Sequence, residues 1–349
     1  MNQNEQEKTN QAVGKQTIRF ACPPAILSRA SIVGDMEGQG PLASYFDQIE
    51  PDPAFGMDSW EEGESEMVRR AVQTAITKSG IAKENIRYIF GGDLLGQLIG
   101  STFGLKDFQI PIFGLYGACS TCGEALSLAA MTVNAGYASH VIAVTSSHFG
   151  GAEKQFRFPL EYGNQRPLSS TWTVTGSGAF LVSATSPDQP MKEYPRITSV
   201  TTGKIVDYGV RDNMNMGACM APAAADVIYQ CLEDLAVKPS HFDKIITGDL
   251  GKVGSEILIK LLRDNDYDIE KQHMDCGVCN EEQDTHSGGS GCGCAAVTLA
   301  GYILHQLESN EWKRVLFVPT GALLSTVSFN EGQTIPGVAH AVVIEHIDL

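Results

Sequence analysis

Residues 114–130 read GLYGACSTCGEALSLAA, and two cysteines stand where a turn of small residues runs into an Ala-rich apolar stretch. Backbone N–H groups at the start of a helix favour a thiolate. Cys119 therefore has surroundings suited to a nucleophile that attacks a thioester. A small residue buried at a tight turn accounts for it equally well. The Cys119-x-x-Cys122 spacing also matches a redox pair, but the flanking pattern is not thioredoxin-like. Two acidic residues, Asp93 and Asp249, each stand between Gly and Leu after a short apolar run. They could bind calcium through carboxylate oxygen or brace a turn. No acidic loop with calcium-site spacing accompanies them, which favours the turn.

An anionic ligand would need N–H or cationic donors. Helix starts at Ser120–Glu124 and Gly291–Ala295 offer N–H groups. His148, Lys154, Arg157 and Arg166 offer side chains. Arg166, beside Pro167, is the best placed and His148 the next. Cys276-x-x-Cys279, His286, Cys292 and Cys294 make a set that zinc could use. The inner C-x-C spacing is unusual for zinc, so no metal site is assigned. Gly288–Gly291 lacks the Lys-Ser/Thr that follows a nucleotide-binding loop, and close backbone packing is its expected role.

The elements that position these residues occur twice. Glu66–Leu94 and Ala224–Leu250 each give an amphipathic helix, a loop with charged residues, and a short strand ending at Gly-Asp-Leu. The apolar spacing of three and four runs through Val68, Ala71, Val72, Ala75 and Ile76, and through Val227, Ile228, Cys231, Leu232 and Leu235. Residues 117–147 and 287–322 then repeat a small-residue turn, an Ala-rich helix and a strand, the strands being His140–Thr145 and Arg314–Pro319. The pattern implies α/β layering with mainly parallel sheets. We read residues 1–14 as a disordered tail, 15–190 as a first half and 191–349 as a second, related by a pseudo-twofold axis. Two long segments, Asp35–Glu66 and His148–Ser170, read as loops, and long loops often line sites.

The chain of 349 residues carries a net charge of −16, and no stretch interleaves Lys or Arg with aromatics, which argues against nucleic acid as a partner. Its apolar runs fall short of the ~18 residues of a membrane span, and the polar start MNQNEQEKTNQ lacks a signal region. Nine cysteines without a signal region read as reduced thiols.

The duplicated unit, with Ala118-Cys119-Ser120-Thr121 at a strand-to-helix turn and Gly176, Gly178 and Ala179 in WTVTGSGAFLVS, resembles the thiolase fold. Among its enzymes the type III ketoacyl synthases are the nearest in pattern. The resemblance implies a layered α/β/α/β/α architecture and an acyl-carrying cysteine at Cys119. It also implies a histidine after a second-half strand and an asparagine or second histidine beyond it, to hold an oxyanion and relay protons. Here the first position falls on Gly248-Asp249-Leu250 and the second near Ser290–Gly291. His286 is a candidate substitute, and His148 is the other histidine that could serve Cys119. These departures favour a binding protein built on an enzyme cleft, with an active acyltransferase using Cys119 as the alternative.

Four segments, GACSTCGEAL, RPLSSTWTVTGSGAF, DTHSGGSGCGCAAVTLAGYIL and VLFVPTGALLS, resemble a sporulation branch of the same fold. That resemblance implies a ligand, dipicolinic acid, as free acid or calcium salt, and no other cofactor. It implies work with the subunits of the stage V sporulation A membrane complex at the inner spore membrane, in uptake of the compound and its release at germination. The expected pocket is formed by Cys119, Ser120, Glu124, His148, Arg166, Asp249, His286 and Gly289. Analogy with the fold further implies a homodimer through His140–Thr145.

Overall fold

The computed structural model describes residues 11–157, 166–185, 194–278 and 283–347. The boundary placed at 190/191 lies outside them, as do residues 1–10. Residues 12–14 do not belong to a tail. Ala12–Val13 pairs with Thr17–Arg19, and the Asp234 carboxylate accepts hydrogen bonds from the N–H groups of Lys15, Gln16 and Thr17.

The first half contributes β1 (Ala25–Gly34), β2 (Tyr88–Gly92), β3 (Ile112–Gly114), β4 (His140–Ser147) and β5 (Gly176–Ser183). The second contributes β6 (Arg196–Thr201), β7 (Lys244–Thr247), β8 (His273–Asp275), β9 (Arg314–Val318) and β10 (Ala341–Glu345). Across the sheet the first half runs β3-β2-β4-β5-β1 and the second β8-β7-β9-β10-β6. The same order twice is the duplication expressed in space. In each half the last strand is antiparallel to both neighbours, while the other four point one way. The halves meet at their first strands through one antiparallel pair, Ala25 with Arg196.

The main helices are α1 (Trp60–Ser79), α2 (Ile99–Leu105), α3 (Thr121–Asn134), α4 (Phe149–Phe156), α5 (Met216–Leu235), α6 (Gly251–Arg263) and α7 (Cys292–Thr298). Helix α7 continues through a π turn at Leu299–Ile303 to Glu308. Alternation along a strand sends successive side chains to opposite faces. In β4, Val141 and Ala143 join a core with α3 and α7, whereas Ile142 and Val144 join another with α1. In β9, Val315 and Phe317 face the first core, and Leu316 and Val318 pack with α5 and α6. Both sheet faces are therefore covered, which is why these strands read as unbroken apolar runs. Helices α3 and α7 form a central layer between the sheets. The expected five layers are present.

Three sequence expectations change. The segment from Asp35 is not a loop through Glu66, because α1 begins at Trp60 with Ser59 accepting from the Glu62 N–H. The segment from His148 begins as a helix, α4, with His148 as its N-cap. The remainder expected as loop includes residues 158–165, outside the described residues. Strand β4, expected at a dimer interface, lies between β2 and β5, hydrogen-bonded on both sides. It has no free edge to offer a second copy. The free edge of the first half is β3, which pairs only with β2 and whose residues are all exposed.

Central helices that are mostly buried should be intolerant of cavities. Leu126 in α3 is fully buried, so Leu126→Ala should cost about 2–5 kcal/mol. The drop would appear as a lower urea midpoint with an unchanged slope. A midpoint equal to wild type would contradict this packing.

Candidate functional site

The turn before α3 is built to present Cys119. Ala118 takes a left-handed φ of 49°, unusual for a residue with a Cβ. The Ser120 and Thr121 N–H groups bond back to Gly117 and Ala118, closing the turn. The second half presses on it: a Cβ at Gly321 would lie 2.3 Å from the Gly117 oxygen, so this strand approaches only as glycine.

Asp249 meets Cys119 in the interior. The Thr320 hydroxyl donates to Asp249 at 2.6 Å, the Ser290 hydroxyl at 3.2 Å and the Gly291 N–H at 3.0 Å. The Cys119 thiol faces the same carboxyl. Burial raises the Asp249 pKa above the usual carboxylate range, against the pull of these hydrogen bonds. The Cys119 thiol is pushed well up, first by burial and then by the neighbouring Asp249 and Cys292. Asp249 and Ser290–Gly291, the two positions where the resemblance implied catalytic donors, are thus beside Cys119 in space. The first holds a hydrogen-bond acceptor. Among the described residues no histidine lines this pocket.

The pocket is small, about 50 Å³, with Leu94, Tyr116, Phe156, Met220 and Leu324 among its apolar walls. Arg157 is its cationic wall. Glu153 holds the Arg157 guanidinium, yet the buried Nε has no partner. Arg157 also lines a larger cleft of about 610 Å³, which takes in Glu37, Trp60, His148, Arg166 and Trp172. The two cavities share this one side chain.

The expected ligand residues therefore divide. Cys119 and Asp249 meet at the small pocket. His148 and Arg166 line the large cleft. Burial depresses the His148 pKa, its Nδ1 accepts from the Gly150 N–H, and its Nε2 donates to the Pro53 carbonyl, so it serves as a cap. Ser120 is buried with its hydroxyl on Gly117. The Glu124 carboxyl is raised by burial, and Glu124 lines neither cavity. Gly289 pairs with Trp172 in a short parallel bridge and lines a third cavity beside Glu37 and Cys276. His286 contacts Pro167 and Asp284 and stays away from Cys119, so it does not replace the missing imidazole.

The two helix starts commit most of their N–H groups to the protein itself. Those of Thr121, Gly123 and Glu124, and of Gly291, Gly293 and Cys294, bond to protein oxygens. Asp93 is a turn aspartate that accepts from the Leu95 and Ser101 N–H groups. In the second half the equivalent bracing comes from Asp275, which accepts from Leu250, Gly251 and Gly277 and leaves Asp249 for Cys119. Burial lifts Asp275 to about 7. Nothing in the sequence pattern marks Asp275, Glu37 or Thr320. Glu64, also unmarked, is buried beside Asp93 with its carboxyl raised by burial and by that neighbour. The Cys292 thiol donates to the Ser146 carbonyl, and Cys279 lies outside the described residues.

A duplicated five-layer α/β chain with a cysteine at the turn into a buried central helix is a thiolase-fold protein, here with an acid, Asp249, facing the cysteine. Solved structures agree on the fold. The chain is similar to 3-oxoacyl-[acyl-carrier-protein] synthase III from Aquifex aeolicus, with a TM-score of 0.55 at 14% identity over 92% of this chain and 99% of that one. It is also similar to cerulenin-bound OleA of Xanthomonas campestris, with a TM-score of 0.58 at 12% identity over 93% and 98%. Residues 14–345 match the family model of stage V sporulation protein AD, and the chain belongs to that family. It is 41% identical over 334 residues to stage V sporulation protein AD of Bacillus subtilis (strain 168), covering 95% of this chain and 97% of that protein. It is thus a sporulation protein with a thiolase-like fold.

Because burial and Asp249 both raise the Cys119 pKa, Cys119 should be a protonated thiol near neutrality. At pH 8 iodoacetamide should modify exposed Cys22 well before Cys119, as read by peptide mass spectrometry. Asp249→Asn removes the negative neighbour, lowers the thiol pKa and should speed alkylation of Cys119, by about tenfold per pKa unit regained. Rapid alkylation of Cys119 in the unaltered protein would overturn this account.

Proposed function

We propose that the protein binds dipicolinic acid without transforming it, and that the Cys119 pocket is where it binds. The observation that carries the reading is the pairing of Cys119 with Asp249. The cysteine turn, the pocket and the apolar walls persist, but the groups that would hold an oxyanion have been replaced by an acceptor saturated with donors. One carboxylate of the ligand would meet the unpaired Nε of Arg157, and the ring would rest against Phe156, Met220 and Leu324. Calcium, where present, would arrive with the ligand. Membership of a sporulation family supports work with the stage V sporulation A membrane subunits in moving the compound into the developing spore and out at germination. Among the described residues no helix is long and apolar enough to cross a membrane, which fits a peripheral position at the inner spore membrane.

Calorimetry with dipicolinate, with and without calcium, tests the binding. Heat should be released on binding to the unaltered protein. Cys119→Ala should weaken binding by loss of packing, and Arg157→Ala should weaken it more, through loss of a charge-assisted hydrogen bond worth about 1.5–3 kcal/mol. An acyl-thioester incubated with the protein should leave Cys119 without an adduct. Turnover with an acyl-Cys119 intermediate would replace this reading with acyl transfer.

We also propose that two copies pair at the β3 edge. Ile112 and Phe113 are 44% and 53% exposed there, and Phe113 stacks on Phe90, which presents a rigid apolar face beside unpaired backbone groups. Light scattering should report a dimer at micromolar concentration, and Phe113→Lys should give a monomer. A monomeric unaltered protein would refute the pairing.

A further inference from the structure

Two residues that line the large cleft each keep a buried polar atom without a protein partner. One is Nη1 of Arg166 and the other is Oε2 of Glu37. Neither results from a shortage of neighbours. Arg166 lies over the Trp172 ring at 4.8 Å and donates from Nη2 to the Asp284 carbonyl at 3.1 Å, and its nearest carboxylate, on the exposed Asp284, stands at 3.9 Å. Glu37 accepts from the Thr175 N–H through its other oxygen at 3.0 Å. A guanidinium so fixed, with one N–H free, is a preformed half of a carboxylate clamp. The remaining walls are flat and apolar: Pro51, Pro53, Trp60 and Phe149. Phe149 stacks on Trp172 at 3.8 Å between ring centroids, which holds that wall rigid.

We propose that the cleft between Trp60 and Arg166 is a second binding site, for a carboxylate carried on a flat ring, separated from the Cys119 pocket by the Arg157 side chain. The ligand carboxylate accepts from Nη1 of Arg166. The Glu37 carboxyl, when protonated, donates to the same group. The charged and titratable groups facing it are Asp35 on its own turn, then His148, Glu153, Arg157, Arg166 and Asp284. Glu153 is neutralised by Arg157, and His148 is held uncharged by burial. Burial brings the Glu37 pKa up to about 7, so the donor is present below neutrality and becomes a repelling anion above it. Occupancy of this site therefore weakens as pH rises through 7. The site stands on its own residues and does not depend on binding at Cys119.

Dipicolinate is the probe, since it stays ionised over the range tested. Calorimetry at pH 6.5 should resolve two events in the unaltered protein, one of them quenching tryptophan fluorescence. Arg166→Ala should weaken the quenching event at least tenfold and leave the other. Asp284→Asn, which removes the competing carboxylate, should tighten it. Raising the pH to 8.5 should weaken it in the unaltered protein and not in Glu37→Gln. A single event that depends on Arg166 and is unchanged in Cys119→Ala would count against the inner pocket alone and leave this site standing. Quenching and heat unchanged in both Arg166→Ala and Asp284→Asn would overturn the second site, as would the absence of any dipicolinate binding.

Discussion

The juxtaposition of Cys119 and Asp249 ties the two halves together at the cleft. It joins the turn before α3 to the segment after β7, and neither residue comes from the same half. Asp249 is held in place by Thr320, Ser290 and Gly291, three contributions from the second half. Cys119 is held by a strained Ala118 and by a backbone approach that only Gly321 permits. With the carboxyl there, the thiol faces an acceptor already filled by three donors, so one side chain sets the character of the cleft.

That network can exist because the architecture brings equivalent elements face to face. Helices α3 and α7 are repeats of one another and share the layer between the sheets. Their small residues let them pack against both. Gly293 in α7 stands so close to the Gly176 oxygen that a Cβ there would lie 2.4 Å from it. The Ala and Gly content of these helices gives the backbone proximity that lets loops from both halves converge.

Much of this was legible in the sequence because it follows from pattern. The repeat and the apolar runs of β4 and β9 announced a layered duplicated fold, and the positions of Cys119 and Asp249 announced a site between the halves. What was not legible depends on burial and on partner choice. His148 looked like a donor for a ligand, but its two ring nitrogens are committed to Gly150 and Pro53. The helix starts looked like anion sites, but most of their N–H groups are taken by protein oxygens. Arg157 was one of four candidate donors and ranked behind Arg166 and His148. Only the structure shows that it belongs to both cavities. Strand β4 was expected at an interface by analogy with the fold, yet its apolar run marks a strand covered on every side.

The acids sealed beneath the cleft also affect the whole molecule. Asp249, Asp275, Asp93 and Glu64 all have carboxyls raised by burial, so the folded chain holds protons that the unfolded chain would release. A raised carboxyl favours the fold fully below its unfolded pKa of about 4. For Asp275 that advantage drains away as pH climbs toward about 7. Folding in this window consumes protons, and for these four groups mild acidity tightens the molecule instead of loosening it. The cleft is thus mounted on a proton-buffered base that alkali weakens first.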